Sequence, residues 1–162
     1  KSPLKGLSTL VKVLKSDGLI KLALYSSLAR QDIIKARNII SLNNFDTTSN
    51  GIRLFRKSFM RGDFPAIQRL HQWSDFYTTS MCRDLCFHVQ EHRYDLNKIK
   101  DILSGFNLEF LGFVLDQKAK NQYSFEYEND FSQIDLSNWN EYEKRYPNTF
   151  RSMYQFWVSR SN

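Results

Sequence analysis

Residues Leu10–Ser26, LVKVLKSDGLIKLALYS, join an apolar helix end, a glycine turn and a run that is apolar on both faces except at Lys21. A short run of that kind is the signature of a parallel strand covered on each side, and it constrains the chain to an α/β sheet. In doubly wound sheets ligands collect beyond the carboxyl ends of the parallel strands, which puts Tyr25, Ser26 and Ser27 where chemistry is expected. Before the turn, Leu4, Leu7, Leu10, Val11 and Leu14 fall on one helical stripe, with Pro3 near its start and Lys5, Lys12 and Lys15 off it. Gly18 is read as the turn residue able to take a positive φ.

The stretch 28–42 places Ala29, Ile33, Ala36 and Ile40 on one helical face, with Ser26 or Ser27 as N-cap. Asn43 to Asn50 break the pattern. Ile52, Phe55 and Phe59 then give a short helix, and Asp63 to Pro65 start another with Ile67, Leu70 and Trp73 on its buried side. The helical stretch between the first strand and the next, about fifty residues, far exceeds a minimal crossover and reads as an insertion that builds a lid or binding surface.

From Thr79 to Tyr94 the pattern is ambiguous: Met81, Leu85 and Cys82, Cys86, Val89 fit a helix, while Phe87 to Val89 suit an extended segment. Asp95 caps a helix with Ile99, Ile102 and Leu103 on one face, ended by Gly105 with Phe106 behind it. A second strand follows at 108–115. Residues 116–137 lack a clean period and read as a loop, after which Asn138 and Glu141 make a capping box for a helix through Trp139, Tyr142 and Tyr146, closed by Pro147. The terminal run 153–160, MYQFWVSR, is rich in strand formers and reads as an antiparallel return strand.

A length of 162 residues favours a single domain, partitioned as a strand–helix core at 4–42, a helical insertion at 43–93 and a helix with a strand pair at 95–162. The net charge of +6 is spread as single Lys and Arg residues at helical spacing, which points to solvated faces rather than a nucleic-acid surface. Two cysteines, Cys82 and Cys86, make no disulfide framework and suit a reducing cytoplasm. No run has the length of a membrane span.

The loudest motif is His88-Val-Gln-Glu91-His92, which spells the H-x-x-E-H of inverted zinc proteases. That chemistry needs one continuous helix, with His88 and His92 as ligands on one face and Glu91 as base. Two other readings stay open: polar lining of a substrate pocket, with Arg93 and the first strand's Tyr25, Ser26 and nearby Arg30 as further binding candidates, or a solvent-exposed turn. The glycine signatures of dinucleotide and phosphate loops and the Gly-x-Ser-x-Gly elbow are missing from the sequence.

Three separated blocks, VLKSDGLIKLALYSSLARQDI, SDFYTTSMCRDLCFHVQEHRYDLNKIKDILSGFNLEFLGF and NTFRSMYQFWV, resemble the C-terminal half of bacterial class I S-adenosylmethionine-dependent methyltransferases, of the kind often joined to tetratricopeptide repeats. Where that family has Leu-Lys-Pro-Gly-Gly before its fifth strand, this chain has Leu14, Lys15, Ser16, Asp17, Gly18. The resemblance implies part of a Rossmann-like methyltransferase sheet: 19–25 as strand five, 108–115 as strand six, and 154–160 as strand seven inserted antiparallel between them. The spatial order is then first, third, second. It also implies that S-adenosylmethionine is held by strands one to four, which precede Lys1, so no cofactor-binding residue falls in this chain. Tyr25, Ser26 and the His88–Arg93 turn match positions near the active-site mouth. The implied partners are an unidentified methyl acceptor and the N-terminal half of the same protein. The alternatives are a non-catalytic interaction module and a zinc hydrolase using His88, Glu91 and His92.

Overall fold

A computed structural model of the chain describes residues 2–88 and 90–161. Along it run α1 (Pro3–Val13), β1 (Leu19–Ser26), α2 (Gln31–Leu42), α3 (Ser49–Met60), two 3-10 segments (Pro65–Gln72 and Ser74–Tyr77), α4 (Thr79–Cys82) widening into a π turn (Arg83–Phe87), β2 (Arg93–Tyr94), α5 (Leu96–Gly105), β3 (Leu108–Phe113), α6 (Gln117–Glu126), α7 (Leu136–Arg145) and β4 (Tyr154–Arg160). Packing divides the protein into two units, Lys1–Ala29 with His92–Asn162, and Arg30–Glu91. The fold is mixed α/β. Among the described residues no helix is long and apolar enough to cross a membrane.

The first unit is built on a mixed four-stranded sheet of order β2-β1-β4-β3. The terminal strand β4 lies antiparallel between β1 and β3, the order expected from the sequence. The other side of β1 carries the two-residue β2, paired parallel at Tyr25 and Ser26. Ile20, Leu22 and Leu24 of β1 sit opposite Val158, Phe156 and Tyr154, and this face packs on Ile99 and Leu103 of α5, Tyr123 of α6 and Trp139 and Tyr142 of α7. Leu7, Val11 and Leu14 join the same core, while Arg160 donates to the Val11 and Leu14 carbonyls at 2.7 and 2.9 Å and so caps the end of α1. Leu4 and Leu10 of the expected stripe stay exposed, beside a cavity of about 240 Å³ that runs under α1 against Leu22, Leu24 and Ile102.

The opposite face of the sheet keeps exposed side chains among the described residues. Leu19, Lys21 and Ala23 of β1, Trp157 of β4 and Glu109 and Leu111 of β3 are exposed, Leu19 at 57% and Trp157 at 40%. The expectation that β1 is covered on both sides therefore fails within this chain: β1 pairs along its length with an antiparallel strand, and such sheets tolerate one solvated face.

Local chemistry corrects several other expectations. Gly18 does not take a positive φ; a Cβ there falls 2.6 Å from the tip of the Leu14 side chain and 3.2 Å from the Lys15 backbone, a tight fit that the Leu14 rotamer can relieve. Positive φ is held instead by Gly62, at +86°, and Gly112, at +131°, the latter where a bulge between Phe110 and Gly112 shifts the β3–β4 register. The helix α5 ends not at a left-handed Gly105 but through Phe106 into Asn107, which holds φ +50°. Residues 117–126, read as loop, are α6, started by Asp116 accepting from Ala119 N–H at 2.8 Å. The next helix is capped by Asp135 rather than Asn138, one turn earlier than expected, because Leu136 is buried in the core.

The second unit is helical. Its core holds Ile33, Ala36 and Ile40 of α2, Ile52, Phe55 and Phe59 of α3, then Ile67, Leu70, Phe76, Leu85 and Phe87. Phe55 is the hub, with the rings of Phe45, Phe64, Phe76 and Phe87 each within 6.1 Å of its own. Trp73, expected on the buried side, is only half-buried.

Candidate functional site

At the carboxyl end of β1, Ser26 lies on the core face and is buried. Its Oγ accepts from the Leu28 and Ala29 N–H groups at 3.1 and 3.0 Å. The serine thus closes the turn that precedes α2 instead of capping the helix, whose first residue is Gln31. The same hydroxyl donates to Glu143 Oε1 at 2.5 Å, and Tyr154, the first residue of β4, donates to Oε2 at 2.5 Å. Glu143 reaches this place because it lies on the inward stripe of α7 with Trp139 and Tyr142, and it is 2% exposed. Burial pushes its carboxyl above the usual carboxylate range; the Ser26 and Tyr154 hydroxyls oppose the shift and the Asp95 charge adds to it. Burial and the Glu143 charge hold the Tyr154 phenol far above its ordinary value. With both oxygens engaged, this carboxylate ties β1, β4 and α7 together.

Tyr25 pairs in register with Arg93, and Ser26 with Tyr94, while Ser27 N–H donates to the Tyr94 carbonyl at 2.7 Å. Tyr25 and Arg93 are half-buried; His92 is exposed. Ser26 is locked inside the first unit, so of the β1 candidates only Tyr25 keeps surface.

A separate cluster lies within the second unit. Arg30 immediately precedes α2 and Arg37 follows two turns later on the same helix. Both guanidiniums meet Glu91 Oε2, Arg30 Nη2 at 3.3 Å and Arg37 Nη2 at 3.1 Å, with Arg37 Nη2 also donating to the Leu85 carbonyl at 3.0 Å. The Arg30 guanidinium stands 5.1 Å from the Trp73 ring centre. Glu91 Oε1 and Arg37 Nε are buried without a hydrogen-bond partner among the described residues. Nearby on the chain, Cys82 and Cys86 are buried free thiols; donation by Cys86 holds Cys82 below its usual range and Cys86 far above it.

The zinc-protease geometry is not formed. The helix stops at Phe87, His88 is already extended at φ −73° and ψ 129°, and Gln90 to His92 lie outside helix and strand. Val89, the second residue of the motif, lies outside the described residues. His88 is exposed, whereas the Glu91 side chain is 6% exposed and turned onto two arginines. Among the described residues no group of three or more His, Cys, Asp or Glu side chains is placed to hold a metal ion.

Of the candidates read from the sequence, the structure brings Arg30 to Glu91 and Tyr25 to Arg93. Arg37, Glu143 and Tyr154 were missed. Arg37 had a readable signal, seven residues and hence two turns beyond Arg30. Glu143 had a fainter one, an acid on the stripe shared by Trp139, Tyr142 and Tyr146. No protein-family model matches the chain, and no curated protein matches it in sequence.

Proposed function

We propose that the chain is the C-terminal portion of a methyltransferase that moves a methyl group from S-adenosylmethionine to an unidentified acceptor. One observation carries the reading: the terminal strand β4 runs antiparallel between β1 and β3, the arrangement implied by the family that the sequence blocks resemble. The exposed Leu19, Leu111 and Trp157 leave apolar sheet surface for further chain to cover.

In this reading the cofactor is not held at the end of β1. The turn after β1 holds no glycine, and its Leu28 and Ala29 amides are already taken by Ser26. S-adenosylmethionine is therefore assigned to the preceding half, and no step is routed through it here. Methyl transfer depends mainly on holding the nucleophile in line with the methyl group, so this portion's part is positioning of the acceptor. Tyr25, His88, His92 and Arg93 keep surface for that task; Ser26, Arg30 and Glu91 are buried and fix their surroundings. The unbridged, buried thiols suit a cytoplasmic setting.

Calorimetry on the purified chain should give no saturable S-adenosylmethionine binding, and micromolar binding would sink the assignment of the cofactor to another half. In the full-length protein, Tyr25→Phe and His88→Ala should lower acceptor turnover at unchanged fold. A second reading, an interaction module without catalysis, is favoured by the same exposed sheet face. A strand followed by a glycine-rich turn in the coding sequence upstream of Lys1 would decide for the methyltransferase.

A further inference from the structure

We propose that the cavity under α1 is a binding site for a medium-chain carboxylate, its hydrocarbon chain lying between α1 and the sheet and its anionic end meeting Lys98 at the rim. The inference stands on the first unit alone and does not depend on methyl transfer.

The first ground is an unfilled interior. Leu22 and Leu24 lie on the core face of β1 and Ile102 of α5 lines the same space, yet all three stay half-buried, and α1 buries none of its residues despite its stripe of leucines. Interiors close gaps larger than a water molecule where side chains can meet. Here about 240 Å³ stays open between apolar surfaces. Arg160 holds the end of α1 by the Val11 and Leu14 carbonyls, so the helix is a fixed roof over that space.

The second ground is the chemistry of the lining. Apart from the Tyr94 hydroxyl, every side chain on the wall is hydrocarbon, from Leu7 and Leu10 on α1 to Ile99 on α5 and Phe156 on β4. A sugar, nucleotide or peptide would leave its polar groups unpaired there, so the buried part of the ligand is hydrocarbon. An apolar cavity of about 150 Å³ takes a six-carbon ring, which scales to a chain of about ten carbons at this volume. The third ground is charge at the rim. Tyr94 is 7% exposed and lines the cavity, and the exposed Lys98 places its ammonium 5.6 Å from the Tyr94 ring centre. Lys98 lies one turn before Ile102 on α5, so it rises from the helix face that closes the cavity. A carboxylate at the mouth meets that ammonium in water while its chain stays dry.

The test titrates the intact chain, isotope-labelled on isoleucine methyl groups, with sodium decanoate, 1-decanol and decyltrimethylammonium bromide below micelle-forming concentrations. Ile102 and Ile33 are assigned by the signals lost in Ile102→Val and Ile33→Val, and Ile33, buried in the second unit, is the reference. Decanoate is expected to shift the Ile102 signal saturably at micromolar concentration and to leave Ile33 unmoved. Decanol should bind about threefold more weakly, the scale of an exposed ion pair, and Lys98→Met should remove that difference. Ile102→Phe, which fills the space, should abolish saturation in the same range, read on Ile99. Should that variant not fold, Gly6→Leu takes its place, because Gly6 lines the cavity, a Cβ there meets nothing within 4 Å and leucine is the better helix former. A decanoate shift that never saturates, one that Ile33 shares, or one that the filling variant leaves unchanged overturns the site. Decyltrimethylammonium binding as tightly as decanoate, or a decanoate preference that survives Lys98→Met, overturns the assignment of the anionic end.

Discussion

Glu143 and Glu91 are buried carboxylates, one in each unit, held by opposite chemistry. Two neutral hydroxyls occupy both oxygens of Glu143, so its geometry is complete while its charge is uncompensated, and burial lifts its carboxyl above the usual range. Two guanidiniums meet one oxygen of Glu91, so its charge is paired, while its other oxygen is buried without a hydrogen-bond partner among the described residues. Neutral partners complete the geometry of a buried carboxylate and leave its charge to be settled by its pKa; charged partners settle the charge and can leave an oxygen over.

The largest expected effect comes from removing Glu91. Glu91→Ala removes the carboxylate that Arg30 and Arg37 both meet and should cost about 3 kcal/mol in urea unfolding, because two nearly buried ion pairs are broken at once. A loss below about 1 kcal/mol would break the comparison, since the arginines would then have found water.

The next effect is a pH dependence of opposite sign to that of an ordinary ion-paired carboxylate. The folded state binds the Glu143 proton more tightly than the unfolded chain, so folded-state proton uptake exceeds that of the unfolded state above about pH 4.3. This contribution to stability is full below the ordinary carboxylate range and is lost as pH rises through the raised folded value. Glu143→Gln should remove that decline. Urea midpoints across this range, compared for the two proteins, check it; parallel curves would show that Glu143 is not shifted upward.

The smallest effect tests the exposed sheet face. Leu19→Thr, on a residue 57% exposed in a strand whose β propensity threonine preserves, should change stability by no more than about 0.5 kcal/mol. A larger loss would mean that this face is covered in solution.

Much of the architecture was legible in local pattern. The apolar runs gave β1, β3 and β4, and Ile33, Ala36, Ile40 and Asp95 marked α2 and α5. The helix α6 was not legible because, of its residues, Tyr123 alone is buried, which leaves no apolar stripe to set a period; its one local signal is the Asp116 cap. The H-x-x-E-H pattern misled for a related reason: spacing implies geometry only on a continuous helix, and the helix ends before the motif begins.

The sequence by itself determined which residues alternate along each strand and which share a helical face, because those periods are properties of the backbone. Only the tertiary structure decided that one face of the sheet keeps exposed side chains, that Ser26 meets a carboxylate 117 residues away, and that Glu91 meets two arginines. Periodicity says which side chains point together. Whether that side is covered, and by what charge, depends on pairings between distant positions that no local pattern encodes.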